Sequence, residues 1–382
     1  MNPAIRYPAV RDLAPKARRR IPHFAWEYLD SGDGDERAVA VNLSELGRVV
    51  LTPQFMKGRI DPDLSTELFG VRYRMPIGVS PVGLNGLIWP DADVHLAKMA
   101  SNRQIPFVAS TVGTGLLEDL GAVSAGMGWF QLYPPGDTAV RDDLLDRAAA
   151  SGFTTLVVTV DIPARSRRER QIKARVSVPP RITPRLVAQA MVRPAWGVDV
   201  LRNGLPRFKT LEKYADAATM KDTAAFISST LVGALSWEYL EEIRERWDGP
   251  LVVKGILDPG DATRCVDSGV DGIVVSNHGG RQFDGAPAAI LALPPVLEAV
   301  DNRLPVMFDS GIRTGLDIAR ALALGADFVF AGRAFMYGLG ALGASGPDHV
   351  ASIFKAELAT VMHQLGCQDL AELRHRDARF EG

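Results

Sequence analysis

Eight short apolar runs, rich in Val, Ile and Phe, recur along this chain with helix-like segments between them. They are Pro76-Ile77-Gly78-Val79, Pro106-Phe107-Val108-Ala109, Trp129-Phe130-Gln131-Leu132 and Leu156-Val157-Val158-Thr159 in the first half. Leu251-Val252-Val253-Lys254, Ile273-Val274-Val275, Pro305-Val306-Met307-Phe308 and Phe328-Val329-Phe330-Ala331 follow in the second. A strand apolar on both faces must be covered on both faces, so near-continuous runs alternating with helices imply a parallel sheet under helices. Eight such units match a (β/α)8 TIM barrel, with an open doubly wound sheet as the alternative. A barrel with an N-terminal extension uses up 382 residues as one domain.

On this reading residues 1–70 form a helical extension containing Phe24-Ala25-Trp26-Glu27-Tyr28-Leu29, 71–364 the barrel, and 365–382 a C-terminal tail. Asp258-Pro259 has the N-cap and first-position residues of a helix, and Gly325 stops the helix running from Asp317 to Leu324. An insertion at about 165–247, far longer than an ordinary strand-to-helix connection, follows the fourth strand. Its part from 181 to 213 mixes Arg181, Arg185, Arg193, Arg202, Arg207, Lys209 and Lys213 with Leu186, Val187, Met191, Val192, Trp196 and Leu201. A basic amphipathic segment of this kind is able to act as a lid, to pack at a subunit interface, or to lie on an anionic membrane surface.

Gly338-Leu339-Gly340-Ala341-Leu342-Gly343 spells the dinucleotide-binding fingerprint. It does not directly follow a strand and too little chain remains for a βαβ unit, so helix packing is expected instead. The formal net charge of -2 offers no general affinity for nucleic acid. Cys265 and Cys367 match no metal or redox spacing and read as buried small residues in a reducing compartment. Arg18-Arg19-Arg20 is not followed by a secretory apolar core, and no stretch is long and apolar enough to span a bilayer. The expected compartment is the cytoplasm.

Barrel chemistry sits at the C-terminal strand ends. Here these ends are Pro81-Val82-Gly83, Ser110-Thr111, Gln131 with Tyr133, Thr159 with Asp161, Lys254, Ser276 through Arg281, Asp309 through Arg313, and Gly332-Arg333. Polar or small residues at all eight ends are not explained by loop polarity alone. Gly311, Arg313, Gly332 and Arg333 after strands seven and eight match the usual barrel phosphate site, where backbone N–H groups and guanidinium forks surround one phosphate. Lys254 is a buried cation in need of a partner, and an anionic reduced cofactor ring would supply one. His278 stands beside Gly279, Gly280 and Arg281, which puts a general base next to a fixed cation. Arg168 and Arg281 together can hold a carboxylate, with Asp161 available to pair with the imidazolium. No Ser-His-Asp, Cys-His or metal-ligand layout accompanies them.

Together these residues resemble the FMN-dependent L-2-hydroxy acid oxidases and dehydrogenases, from about Ile21 to Cys367. The most specific part of the resemblance is Ser276-Asn277-His278-Gly279-Gly280-Arg281-Gln282-x-Asp284. Gly83-Leu84-Asn85-Gly86 with Trp89-Pro90, and Pro194-x-Trp196-x-x-Asp199, are most similar to membrane-associated mandelate dehydrogenases. The resemblance implies FMN beside the backbone of Pro81, Val82 and Gly83. Ser110, Gln131 and Thr159 would bond the pyrimidine edge, with Lys254 near its N1 and Ser276 beside it. Asp309, Gly311, Arg313, Gly332 and Arg333 would hold ribityl and phosphate. It further implies His278 as base, Asp161 as its partner, Tyr133 in both catalysis and binding, and Tyr28, Arg168 and Arg281 on the substrate. A homotetramer and a cytoplasmic or peripheral inner-membrane location are expected, with a quinone or oxygen as electron acceptor; Gly83 and the basic insertion favour the quinone.

Five positions depart from the family pattern: Ser166 in place of glycine, Gln171 where an acidic residue is common, Phe283 for leucine, Val112 where glycolate oxidase has tryptophan, and an additional Arg165. Val112 makes room for a bulky or aromatic side chain, whereas Arg165 would select a second carboxylate. Another FMN barrel enzyme and a silent flavin-binding protein are the alternatives from other classes.

Overall fold

In a computed structural model, described over residues 2–164, 166–176, 183–214 and 235–381, the eight apolar runs close into one parallel barrel. The strands are β1 (Ile77–Val79), β2 (Phe107–Ser110), β3 (Gly128–Leu132), β4 (Thr155–Thr159), β5 (Leu251–Ile256), β6 (Gly272–Val275), β7 (Val306–Phe308) and β8 (Phe328–Ala331). Each pairs with its sequence neighbour, and β8 returns to β1 through Val329 opposite Ile77. Val108, Trp129, Val157, Val252, Val274, Met307, Phe328 and Phe330 fill the interior. Alternate residues such as Phe130, Leu156, Val253 and Ile273 pack outward against the helices. Both faces are therefore dry, which is why the runs lack polar alternation.

A hairpin of Thr66–Leu68 and Val71–Tyr73 closes the floor. Leu68 and Tyr73 join the interior cluster, and the Trp129 indole N–H donates to the Tyr73 hydroxyl at 3.2 Å. With one end plugged by apolar side chains, ligands have access only at the other.

The N-terminal extension contributes α1 (Val10–Arg20), α2 (His23–Asp30) and α3 (Arg37–Gly47). The fingerprint-like glycines lie in and just after α7 (Arg333–Leu342; α4 to α6 are described below). A Cβ on Gly338 would come 2.7 Å from the Gly346 carbonyl, and one on Gly340 3.0 Å from the Ala17 Cβ. Those glycines are close-packing points between helices. The N-terminus of α3 has no cap from its own flank; the Asp284 carboxylate accepts from the Ala38 N–H at 2.8 Å instead. Asn42 of α3 and Asn277 exchange amide hydrogen bonds at 2.8 Å in both directions, and Asn277 also donates to the Pro287 carbonyl. Both amides are buried, so removing one would take two hydrogen bonds from the other at a cost of about 1–3 kcal/mol. The tail returns as Ala378–Phe380, antiparallel to Val49–Leu51.

The insertion carries α4 (Glu169–Ala174), α5 (Pro184–Met191) and α6 (Pro194–Asn203). Its described part at 183–214 is anchored: Trp196, Phe208 and Leu211 are buried, and the Trp196 indole donates to the Leu87 carbonyl. Met191 and Leu201 by contrast are 70% and 87% exposed. Arg165, Arg181 and the side chain of Arg185 lie outside the described residues. Among the described residues no helix is long and apolar enough to cross a membrane. Cys265 and Cys367 are buried and unpaired.

Candidate active site

The open end of the barrel holds a cleft of about 510 Å³. On one side it is lined by Tyr28, Gly83, Tyr133, Arg168, His278 and Arg281. Around Lys254 and the ends of β7 and β8 it is lined by Pro81, Val82, Asp309, Gly311, Arg313, Gly332 and Arg333. Ser110, Gln131, Thr159, Asp161 and Ser276 are not on this lining. They stand behind it, on neighbouring strand ends.

His278 follows β6 in a left-handed turn, φ 58°, continued by Gly279 and Gly280 at 64° and 71°. Such a conformation is costly for a non-glycine residue and persists where surrounding bonds over-determine it. Here the His278 N–H donates to the Ser276 hydroxyl, the Gly279 N–H to the Ser310 hydroxyl, and the Gly280 N–H to the Asn277 side chain. The Asp161 carboxylate lies 2.9 Å from His278 Nδ1. A carboxylate can only accept, so Nδ1 carries the proton and Nε2 keeps its lone pair. Asp161 reaches this position past Gly255, where a Cβ would come 2.7 Å from that of Asp161. Burial pushes the imidazole below the usual histidine range; Asp161 opposes this, and Lys254 and Arg168 add to it. The result is a neutral ring with one free nitrogen, the form a base needs.

Two cations close by have no counter-ion among the described residues. Arg281 donates only to the Leu29 and Ser31 carbonyls and sits 5.2 Å over the Tyr28 ring. Burial, then Arg168 and Arg333, pull it down to about 9. A guanidinium does not release its proton at neutral pH, so Arg281 remains a buried positive charge that an anion would stabilise. Arg168 spends its Nε on the Ser166 hydroxyl and the Arg281 carbonyl, leaving both terminal nitrogens without a partner among the described residues. The Tyr28 hydroxyl donates to the Gly83 carbonyl at 2.7 Å, and burial raises the Tyr133 phenol so that it stays protonated.

The other half of the cleft differs from the sequence expectation in one respect. Lys254 has a protein partner, Asp309 at 2.9 Å, and also donates to Ser276 at 2.7 Å. Burial pushes the Asp309 carboxyl up, but Lys254 and the Ser276 and Ser310 hydroxyls outweigh it and hold it below the ordinary range. Ser276 is thus the hub joining Lys254 to the His278 turn.

Ser110, Gln131 and Thr159 stand side by side on β2, β3 and β4. The Ser110 hydroxyl donates to Gln131 Oε1, while Gln131 Nε2 and Thr159 Oγ1 are buried with no partner. Orphaned polar atoms at two adjacent strand ends, beside the Ser110 hydroxyl on a third, fit the polar edge of a heterocycle. Among the described residues the Arg313 side chain has only the Ile312 carbonyl and the Tyr337 ring, and that of Arg333 only the Gly279 and Ser31 carbonyls, its Nε being orphaned. Burial, then Arg313, pulls Arg333 down to about 10. Two guanidiniums without anions beside Gly311 and Gly332 fit a phosphate. Among the described residues no group of three or more His, Cys, Asp or Glu side chains could hold a metal ion.

Sequence reading did not find the brace behind the Gly83 wall. Asp93, fully buried, accepts from Asn85, from the Thr114 hydroxyl, and from the Thr114 and Gly115 N–H groups at 2.8 Å. With the Leu84 N–H donating to the Val112 carbonyl, it locks the loops after β1 and β2 together. An acidic residue within an otherwise apolar helix face was the only local signal.

A family model described as FMN-dependent dehydrogenase matches residues 17–379. L-lactate dehydrogenase of Pseudomonas syringae pv. syringae is 40% identical over 364 residues, covering 95% of this chain and 96% of its own. The L-lactate dehydrogenase of Vibrio parahaemolyticus serotype O3:K6 is 40% identical over 367 residues, covering 96% and 97%. Among solved structures, that of the monotopic membrane protein (S)-mandelate dehydrogenase superposes with a TM-score of 0.91 at 34% identity, over 98% of this chain and 99% of that one. A mandelate oxidase gives 0.84 at 32% identity, over 98% and 99%.

Proposed function

This chain belongs to the FMN-dependent dehydrogenase family, and on that footing we propose that it oxidises a bulky, mandelate-like L-2-hydroxy acid to the 2-oxo acid and passes the electrons to a quinone-type acceptor. The observation that carries this reading is a neutral histidine, its Nδ1 held by Asp161, beside two guanidiniums without anions in one cleft. FMN, when bound, would supply the two-electron acceptor for the reaction. Ser110, Gln131, Thr159, Lys254, Ser276 and the backbone from Pro81 to Gly83 would hold its ring; Asp309, Gly311, Arg313, Gly332 and Arg333 would hold ribityl and phosphate.

Arg168 and Arg281 fork onto the substrate carboxylate, with Tyr28 and Tyr133 completing its hydrogen bonds. That grip turns the 2-carbon and its hydroxyl toward His278, whose Nε2 takes a proton as the substrate is oxidised. Asp161 stabilises the imidazolium so formed. Leu84, Ile88, Val112, Ile162, Ile172 and Val176 add an apolar wall to the cleft, which suits an aromatic side chain. A small substrate is the second reading, favoured by the L-lactate dehydrogenase relatives.

The test is the visible spectrum of the anaerobic protein before and after L-mandelate. A flavin band that bleaches with the L but not the D enantiomer is expected, and readmitted air would then reveal whether oxygen reoxidises it. A band that bleaches with L-lactate but not with mandelate would overturn the aromatic preference; one that bleaches with neither would overturn the reaction.

The exposed Val187, Met191, Val192 and Leu201 support peripheral attachment to the inner face of a membrane through the insertion. Because Trp196, Phe208 and Leu211 are core residues, deleting 181–213 would damage the fold. Changing Val187, Met191 and Leu201 to serine should instead move the protein from the membrane to the soluble fraction of a lysate. Unaltered partition would remove the membrane from the proposal.

A further inference from the structure

Arg170 stands two residues beyond Arg168, on the first turn of α4, and takes no part in the cleft lining. Its guanidinium is met by three carboxylates from the N-terminal extension. Nε donates to Glu27, Nη2 to Asp30 at 3.0 Å, and Nη1 to Glu36 at 2.9 and 3.1 Å. Gln171 adds a second tie between the same regions, donating to the Ser31 hydroxyl at 3.0 Å. Glu27 is buried and is the immediate neighbour of Tyr28 on α2. Each end of the cluster is therefore one or two residues from a group at the cleft: Tyr28 on one side, Arg168 on the other.

We propose that Arg170 is a positioning residue which sets the gap between Tyr28 and Arg168 and thereby the grip on the substrate carboxylate; this rests on the carboxylate-clamp reading above. Arg168 has no other firm seat. It precedes α4 rather than lying within it, and only its Nε is bonded, to Ser166 and to the Arg281 carbonyl. Its Cα goes where α4 goes, and α4 is held to α2 by Arg170. A planar fork engaged on all its edges fixes both separation and rotation of the two helices, which the point charge of a lysine does not. Three carboxylates around one cation exceed what charge balance requires, since one minus three leaves -2. Such an arrangement defines geometry better than it maximises stability. Ser166, where the family pattern has glycine, fits the same design, because its hydroxyl orients the Arg168 fork from the other side.

Arg170→Gln alone would strand Glu27 in a buried site, so three gentler variants make the test: Arg170→Lys, the neutral pair Glu27→Gln with Arg170→Gln, and Glu36→Gln. Each is purified with its FMN and scored for flavin content, melting temperature, KM and kcat with L-mandelate, and Kd for phenylacetate. Phenylacetate has the carboxylate but no hydroxyl to oxidise, and its binding is read from the perturbed flavin spectrum. Arg170→Lys and the neutral pair should keep full flavin content and a kcat within about threefold, while KM and the phenylacetate Kd rise by about tenfold or more. Glu36→Gln, which leaves Glu27 paired, should move both in the same direction by less. If KM and Kd stay within twofold while the melting temperature falls, Arg170 is only a structural bridge and the proposal fails. Arg168→Met is the control. Weakened phenylacetate binding there but not in the Arg170 variants overturns the positioning role alone; unweakened binding in Arg168→Met overturns the carboxylate clamp itself.

Discussion

Replacing His278 with glutamine is expected to slow substrate-dependent flavin bleaching by about 10³- to 10⁴-fold, the upper part of what a positioned general base contributes. Glutamine reaches about as far as histidine but cannot take a proton. The turn that carries it is held by backbone donors to Ser276, Ser310 and Asn277, none of which involves the imidazole. FMN content and melting temperature should therefore stay near those of the parent. The parent's pH profile makes the same point independently. The neutral imidazole is the active form and burial lowers its pKa, so kcat/KM should fall with acidification, with an apparent pKa below the ordinary 6.5. A variant that bleaches at the parental rate, or an acid limb centred above pH 7, would sink the role assigned to His278.

The second large effect concerns Lys254. Lys254→Met keeps the unbranched stem and removes the charge, leaving Asp309 buried with only hydroxyl partners. Breaking a buried ion pair in this way costs about 3–5 kcal/mol, far more than losing an exposed one. FMN should also be held more weakly, since Lys254 is among the residues proposed to hold its ring. The pH dependence has a definite sign. In the parent the Asp309 pKa is lowered, so its pair stabilises the fold above the ordinary 3.8 and that contribution is lost as pH falls through the folded value. In the variant the hydroxyls alone oppose burial, so that pKa rises above the parent's and protonation relieves the penalty. The stability gap between parent and variant should therefore narrow from pH 7 to pH 5 in urea unfolding. A gap absent at pH 7, or one that widens on acidification, would show that the pair does not act this way.

Strands and strand ends were legible because their signals are local. A strand dry on both faces must be apolar throughout, and a polar group after it must face the barrel mouth, so Lys254, His278, Arg313 and Arg333 could be placed from their neighbours alone. The partner of Lys254 could not. Asp309 follows β7 and Lys254 lies in the second half of β5, and which strands bring their side chains into contact depends on the shear of the closed barrel. The Asp93 brace, the trans cap of Asp284 on α3 and the Arg170 cluster were illegible for the same reason. Each joins an ordinary-looking charged residue to groups distant in sequence. Ser166 and Gln171 stood out as departures from a pattern, but their bonds to Arg168 and Ser31 became visible only with α4 docked on α2.

From its sequence alone this chain determined eight buried strands, the helices between them and the chemical character of each strand end. Those follow from periodicities of two and 3.6 residues and from the turn residues that interrupt them. Tertiary structure alone decided other pairs: Asn42 with Asn277 across 235 residues, and Lys254 with Asp309. A hydrogen bond or an ion pair acts over about 3 Å, and nothing in the local pattern specifies which distant groups barrel closure will bring to that range.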